Sequence, residues 1–326
     1  MVRYLIRRIL WACLLFIIIT FVTFVIFFMG PNDPARAQCG GDQAQPACLK
    51  LVTEKYGLNK PLYMQYWYFF DRLVIHHNLG VSYATGQSIN QSIGKAAPVT
   101  ASLVFGGAIL WMILALIIGV FSALRPRSLL DRSAMIFVLI GISAHPVWIG
   151  PIFEYIFGVK LGWTPIANYA NFFGAPADSG QPGGPWQWFY HMILPWMTFS
   201  LLFAALYARM IRASMLESMR ADYVLTAQAK GAGTGQIVRH HVLRNAMLPV
   251  VTVIGIEAAF LMGGLIVTET VFNIPGVARF LVEAIRWRDY PIVQNLVMFI
   301  AVVAVSINFL IDLLYAVLDP RIRYAS

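Results

Sequence analysis

The sequence predicts an all-α membrane protein with six transmembrane helices and both termini in the cytoplasm, and three observations support this fold class. Hydrophobic residues make up 59% of the 326 residues and charged residues only 12%, whereas soluble domains contain about 25% charged residues. Six apolar runs are long enough to cross the hydrocarbon layer, which takes about 20 residues of helix. The alternating polar and apolar segments that are typical of a membrane β-barrel do not occur in the sequence.

The six predicted spans are spread over the whole chain. They are residues 9–29, 99–124, 134–157, 190–211, 249–271 and 292–318. The first two contain no charged residue, whereas the third is interrupted by His145, Pro146, Pro151 and Glu154. We interpret His145 as a polar residue that faces the interior of the helix bundle.

A cleaved secretory signal peptide is the alternative for the N-terminus. Arg7 and Arg8 precede the first apolar run, and the small residues Ala35 and Ala37 follow it. The run is about 21 residues long, whereas the apolar part of a signal peptide has about 7–15 residues. We therefore expect an uncleaved first helix.

The distribution of Lys and Arg predicts the orientation, because cytoplasmic segments of membrane proteins are enriched in positive charge. With the N-terminus inside, the cytoplasmic segments contain 14 of the 24 Lys and Arg residues. Six of the other ten lie in the long loop 30–98, where charge has little influence on orientation. The net charge of +9 is explained in this way, and no nucleic-acid partner is expected.

The spans and their orientation divide the chain into three predicted regions. Residues 1–29 form the cytoplasmic N-terminus and the first span, residues 30–98 an extracytoplasmic loop domain, and residues 99–326 a core of five helices. The core contains a cytoplasmic loop at residues 212–248 and an outer amphipathic segment at residues 272–291.

The cysteines allow one disulfide outside the membrane. Cys39 and Cys48 both lie in the predicted outer loop, where an oxidising environment permits a disulfide, and two unpaired thiols are the alternative. Cys13 lies inside the first predicted span. No histidine neighbours the outer pair, so no metal site is expected.

Sequence motifs for catalysis are missing. The chain has no G-x-x-x-x-G-K-[ST] phosphate loop, and it has neither H-E-x-x-H nor G-x-S-x-G. We therefore expect a non-catalytic membrane subunit that takes its energy from elsewhere. A secondary transporter driven by an ion gradient is the less favoured alternative, because the acidic residues of the spans are not repeated in two matching halves.

The cytoplasmic loop contains the stretch YVLTAQAKGAGTGQIVRHHVLRNAMLP, residues 223–249, which has helical patterning on both sides of a glycine cluster. Asp222 suits the first turn of a helix that runs to Lys230, and Gly231 is expected to end this helix with a positive φ. A loop of this length with such regular patterning is uncommon without a partner.

A second helix is predicted after the glycine cluster. Thr234 suits its N-cap, and the helix is expected over residues 236–245. The small side chains of Ala227, Ala229 and Ala232 would let the first helix sit close in a groove of a partner.

This stretch resembles the EAA loop of ABC-importer permeases, which docks into a cleft on the ATPase subunit. Leu225-Thr226-Ala227 stand where that loop has Glu-Ala-Ala, Gly231 matches its glycine, and Leu248-Pro249 match its closing Leu-Pro. The departures are similar to the peptide-importer branch, which reads TARAKG where this chain has TAQAKG. The resemblance implies that the residues coupling to the ATPase subunit are Asp222, Tyr223, Ala227, Lys230, Gly231 and Ala232.

The resemblance extends over nearly the whole chain. The segments RYLIRRIL, GPNDPA, YGLNKPLYMQY, ETVFNIPGVARFLVEAIRWRDYPIVQ and IDLLYAVLDPRIR are similar to the B-type permease of dipeptide and oligopeptide ABC importers. This family implies the ABC type I importer permease fold and a multi-pass protein of the bacterial cytoplasmic (inner) membrane. It also implies that peptides are the cargo, although the same branch contains importers of nickel, glutathione and oligosaccharides.

The resemblance also implies the partners. They are a homologous C-type permease that completes a heterodimer, two ABC ATPase subunits, an extracytoplasmic peptide-binding protein and the lipid bilayer. No cofactor is expected on this chain, because ATP and Mg would bind to the ATPase subunits.

Four residues are candidates for the translocation path or its gate. Glu257 lies within the fifth predicted span, where a carboxylate must face water or a partner, and a structural hydrogen bond is the alternative. Gly263 and Gly264 can line the path or allow close helix packing. Phe280 belongs to the outer amphipathic segment, which is expected to form a helix that acts as an outer gate or as an interfacial anchor.

Overall fold

The computed structural model of the protein describes residues 2–28, 35–36, 39, 45–143, 145–174, 183–257 and 261–318. These residues form helices, turns and loops, and the only β-type pairing among them is an isolated bridge between Val81 and Ser88. The predicted all-α fold class is therefore confirmed for the described part of the chain.

The α-helices of the described residues are, in chain order, α1 (Val2–Phe28), α2 (Pro46–Tyr56), α3 (Leu62–Val74), α4 (Ile89–Leu124), α5 (Leu129–Ser143), α6 (Pro146–Phe153), α7 (Pro185–Ser218), α8 (Asp222–Ala229), α9 (Thr234–Ile237), α10 (Leu243–Glu257), α11 (Leu261–Val271), α12 (Val277–Arg286) and α13 (Tyr290–Leu318). Two segments have π-helical geometry. Glu154–Lys160 extends α6, and Val238–Val242 joins α9 to α10.

The chain divides into two compact units. One consists of Met1–Ala97 together with Arg279–Ser326, and the other of Pro98–Ala278. The boundary near residue 98 coincides with the predicted end of the outer loop domain, whereas the C-terminal residues group with the N-terminal ones. The division into residues 1–29, 30–98 and 99–326 concerns sides of the membrane and stays a prediction.

Four segments of the described residues are long and apolar enough to span a membrane: Ile6–Phe27 within α1, all of α4, all of α7, and Tyr290–Ile311 within α13. The helices α5 and the extended α6, which are bent by 107° at their junction, make a fifth candidate only if the pair is counted as one broken span and not as a re-entrant loop. The predicted span 249–271 is shared between α10 and α11, and residues 258–260 between them lie outside the described part. Six spans and cytoplasmic termini therefore remain predictions.

A proline explains where the broken span is interrupted. Pro146 is the first residue of α6, a position at which a missing N–H is tolerated. His145 precedes it as the N-cap, and its Nδ1 accepts a hydrogen bond from the N–H of Val147 at 3.4 Å. The His145 side chain is exposed, so the interpretation that it faces the bundle interior is wrong, and it caps a helix instead.

The unit Pro98–Ala278 is packed closely around α7. A Cβ atom added to Gly119 of α4 would lie 2.9 Å from the carbonyl oxygen of Ala208, and one added to Gly141 of α5 would lie 2.6 Å from Cβ of Ala205. Glycine therefore lets α4 and α5 approach α7 more closely than any other residue would. These contacts fix the helix that leads into the predicted cytoplasmic loop.

The other unit contains a buried polar contact near the start of α13. The carboxylate of Asp289 is buried and accepts hydrogen bonds from Oγ of Ser82 (2.5 Å) and from the N–H of Ala84 (3.1 Å). Nδ2 of Asn295 donates to the carbonyl oxygen of Leu79 at 3.0 Å. A buried carboxylate is stable only when donors such as these pair with it. Together the hydrogen bonds hold the segment after α3 against the start of α13.

Candidate functional site

The predicted coupling segment is a separate short helix, α8, which follows α7 after the turn at residues 219–221. Asp222 is its first residue and is exposed, and its carboxylate is favoured there by the positive end of the helix dipole. Oγ1 of Thr226 donates to the carbonyl oxygen of Asp222 at 3.0 Å. The helix therefore begins at the residue that the sequence predicted.

Gly231 ends α8 in the way that the sequence predicted. Its φ is +79°, in the left-handed region where glycine has no Cβ penalty. Its N–H donates to the carbonyl oxygen of Gln228 (2.9 Å), and the N–H of Ala232 donates to that of Ala227 (3.1 Å). These two bonds form a Schellman motif, which satisfies the last carbonyl groups and stops the helix sharply.

One face of α8 is attached to the core of this chain. Val224 is only 3% exposed and belongs to a buried cluster with Met215 of α7 and with Val242. Ala227 and Ala232 are half-buried against the same cluster. The sequence assigned three alanines to a partner groove. Two of them, Ala227 and Ala232, pack partly on this chain instead, whereas Ala229 is exposed.

The surface of α8 away from Val224 is open. Leu225 is 60% exposed and Tyr223 38% exposed, and Thr226, Ala229 and Lys230 are exposed as well. The sequence interpretation included Tyr223 and Lys230 but not Leu225. The signal for Leu225 was its apolar side chain at the position where the EAA loop has a glutamate.

The second predicted helix differs from its expected bounds. Gly233, not Thr234, is the N-cap residue, and the helix does not end at Asn245. Instead α9, the π-helical segment and α10 follow one another without a break as far as Glu257, with Pro249 inside α10. The buried side chains of Ala246 and Val250 on either side of the proline hold this segment helical, because tertiary packing outweighs the local cost of proline.

A partly buried ion pair lies near the C-terminal end of α7, which is cytoplasmic in the predicted orientation, and the sequence did not indicate it. Nε and Nη2 of Arg212 donate to Oδ1 and Oδ2 of Asp131 at 2.7 and 2.8 Å. Asp131 also accepts hydrogen bonds from Oγ of Ser122 and from the N–H of Arg127, the latter at 2.9 Å. In the sequence, Arg212 is one of the 14 Lys and Arg residues whose distribution predicts the orientation. Its partner is 81 residues away in sequence, so no local pattern could reveal the pair.

The candidate path residues are only partly described. Glu257 ends α10, and Gly263 and Gly264 lie in α11, but their side chains lie outside the described part. Phe280 is half-buried on α12. The predicted outer amphipathic segment is confirmed as a helix over Val277–Arg286, with its role untested.

Cys39 and Cys48 are joined by a disulfide in the structure, with Cα atoms 5.9 Å apart. Cys13 is a free, exposed thiol. Over the residues that the structure describes, no group of three or more His, Cys, Asp or Glu side chains is arranged to hold a metal ion.

Two family matches cover the chain. Residues 115–324 match the family described as binding-protein-dependent transport system inner membrane component, and residues 1–104 match the N-terminal region of the same membrane components. The chain belongs to this family. The family consists of inner-membrane components of binding-protein-dependent transport systems. This match confirms the resemblance to ABC-importer permeases.

Relatives of this transport component match it from end to end. It is 36% identical to the dipeptide transport system permease protein DppB of Alkalihalophilus pseudofirmus, over 99% of this chain and 100% of the relative. It is 35% identical to the glutathione transport system permease protein GsiC of Escherichia coli O6:H1, over 99% and 100%. It is 34% identical to the di/tripeptide transport system permease protein DppB of Pseudomonas aeruginosa, over 94% of both. These relatives are permeases, and the present chain is an ABC importer permease of the inner membrane.

Proposed function

We propose that this permease forms half of a translocation path for peptides, which an extracytoplasmic binding protein delivers. A homologous C-type permease forms the other half, and two ABC ATPase subunits supply the energy. ATP and Mg bind to those ATPase subunits, and this chain binds no cofactor. Relatives that transport dipeptides, di/tripeptides and glutathione support a peptide-like cargo.

The observation that carries the coupling part of this proposal is the two-sided construction of α8. Val224 anchors one side of the helix in the buried cluster, and the exposed side chains of Leu225 and Tyr223 flank it, each about 100° away around the helix axis. A helix that is anchored along one line and has exposed apolar side chains on both flanks suits docking into a cleft of a partner protein. Lys230 at its end is placed to meet acidic groups of that partner.

Rigidity is required of such a contact, because the permease must respond to nucleotide that is bound on another subunit. The Schellman motif at Gly231 leads into a connection of only a few residues, and from Thr234 to Glu257 the chain is continuously helical, so α8 is joined to the predicted fifth span by a short connection. A displacement of α8 would therefore also displace the predicted fifth span.

Docking is tested with two matched leucine variants in the reconstituted complex. Leu225→Ala removes the most exposed apolar side chain of α8, whereas Leu129→Ala removes a leucine of α5 that is also exposed. We expect Leu225→Ala to weaken ATPase-subunit binding about tenfold, which corresponds to about 1.4 kcal/mol, and Leu129→Ala to leave it unchanged. Equal binding by both variants would refute the docking role of α8.

Glutathione is a second candidate cargo, because a glutathione permease matches over the full length. Uptake into proteoliposomes that contain the complete importer distinguishes the two. Competition of labelled dipeptide uptake by unlabelled tripeptides, but not by excess glutathione, is expected for a peptide importer. The ligand that copurifies with the binding protein provides an independent check.

A further inference from the structure

The ion pair between Asp131 and Arg212 joins three helices at one point. Arg212 lies in α7, Asp131 in the first turn of α5, and Ser122 near the end of α4. Nε of Arg212 donates to Oγ of Ser122 at 3.0 Å as well as to the carboxylate. A bidentate arginine–carboxylate contact fixes both distance and angle, because two parallel hydrogen bonds resist rotation.

The loop between α4 and α5 is also organised by this carboxylate. Arg127 has a φ of +63°, which is unfavourable for a residue with a Cβ, and its N–H donates to Asp131. The N–H of Asp131 in turn donates to Oγ of Ser128 at 3.2 Å. The side chain of Asp131 is 6% exposed and that of Arg212 is 24% exposed, so the carboxylate at the centre of the network is shielded from water.

The part of α7 that carries Arg212 is also the part on which α8 rests. Ile211 and Met215 are fully buried on either side of Arg212, and they belong to the same buried cluster as Val224 of α8. Only the turn at residues 219–221 separates α7 from α8. A displacement of α8 would therefore first move the turn of α7 that carries Arg212.

We propose that the Asp131–Arg212 pair is a positioning element that passes displacements of α8 to α4 and α5, the helices of the second and third predicted spans. This inference rests on the proposed function of α8 as the ATPase contact. A buried ion pair is not needed for stability, since apolar residues of similar volume often serve equally well. The pair adds a contact of fixed distance and angle, whereas an apolar contact lets the helices slide past each other.

Three variants remove the link in different ways. Asp131→Asn keeps the size of the side chain and removes its charge, whereas Arg212→Lys keeps the charge and loses the bidentate contact. Ser122→Ala removes the hydroxyl that bonds to both members of the pair and leaves both charges in place. Arg209→Lys is the matched control, because Arg209 lies one turn earlier on α7 and is exposed. Ser122→Ala is the mildest change, so it remains informative if the charge variants fold poorly.

The first measurements, in the reconstituted importer, are ATPase-subunit binding and the number of ATP molecules hydrolysed per peptide imported. We expect Asp131→Asn and Arg212→Lys to bind the ATPase subunits within twofold of the unchanged protein and to hydrolyse at least tenfold more ATP per peptide. Ser122→Ala should move the ratio in the same direction by about threefold, and Arg209→Lys should not move it. An unchanged ratio of ATP hydrolysed to peptide imported in all variants would overturn the proposal. A loss of ATPase-subunit binding in the charge variants would also overturn it, because the pair would then only maintain the shape of α8.

A distance measurement separates positioning from simple stabilisation. Spin labels at Thr226 on α8 and Leu129 on α5 should keep one distance distribution with and without nucleotide in the otherwise unchanged protein. In Asp131→Asn the distribution should broaden or shift when nucleotide binds, because α8 then moves without α5. If Leu225→Ala keeps full ATPase-subunit binding, the proposed function of α8 fails. If Leu225→Ala loses binding but the labels behave alike in both proteins, only the positioning role fails.

Discussion

Replacing Gly231 should weaken the contact with the ATPase subunit through the backbone alone. No atom lies within 4 Å of a Cβ added at Gly231 or at Gly235, but only Gly231 has a positive φ. A residue with a Cβ in the left-handed region costs roughly 1–2 kcal/mol, and valine costs more than alanine because it is β-branched. Gly235 lies within α9, where alanine is favoured over glycine. The two alanine variants therefore differ in strain and not in steric overlap.

The expected result follows from the Schellman motif. Strain at residue 231 is relieved by opening the two hydrogen bonds that close α8, which frays the turn next to Lys230. If docking requires the closed turn, 1–2 kcal/mol lowers the affinity about 5- to 30-fold. Titration of ATPase subunits onto the purified permease heterodimer should show this loss for Gly231→Ala and a larger one for Gly231→Val. Ligand-stimulated ATPase activity and uptake should become uncoupled in parallel.

The control and the refuting result are equally definite. Gly235→Ala should bind the ATPase subunits as the unchanged protein does, and both variants should insert normally into the membrane. Normal ATPase-subunit binding and normal uptake by Gly231→Val would show that the shape of this turn has no part in coupling.

Three further predictions concern the other parts of the chain. A cysteine introduced at Gly235 should be shielded from an impermeant thiol reagent outside intact cells, while one at Gln181 should react; reversed labelling contradicts the predicted orientation. Mass spectrometry without reductant should detect peptides linked through Cys39 and Cys48, and free thiols at both positions would count against the disulfide. Asp289→Asn should reduce stability by about 1–3 kcal/mol, because a buried hydrogen-bond network loses an acceptor. Amide exchange should then become faster in the outer segment that Asp289 holds, and unchanged exchange would argue against its role.

Local features of the coupling segment could be predicted from the sequence. The start of α8 at Asp222 and its end at Gly231 depend on a first-turn carboxylate and on a glycine, and both signals lie within a few residues of the structure they produce. The same holds for the outer amphipathic helix, whose apolar residues recur at helical spacing. Short-range physical causes are visible in a single sequence.

Features that depend on distant contacts could not be predicted. The continuation of α10 through Pro249 depends on burial of Ala246 and Val250, which only the folded chain brings about. The pair of Asp131 and Arg212 depends on the packing of α5 against α7. The sequence predicted a span only over the charge-free run 99–124. The helix α4 begins earlier, at Ile89, because the polar residues before the run also continue the helix.

The length of α7 has a mechanical consequence. Its 34 residues extend about 51 Å at 1.5 Å per residue, whereas the hydrocarbon layer is only about 30 Å thick. The helix can therefore act as a lever, one arm of which carries Arg212 and the connection to α8. A tilt of about 10° around its midpoint would move each end by about 4 Å, so a displacement at the end next to α8 would be matched by a displacement of equal size at the other end of the helix.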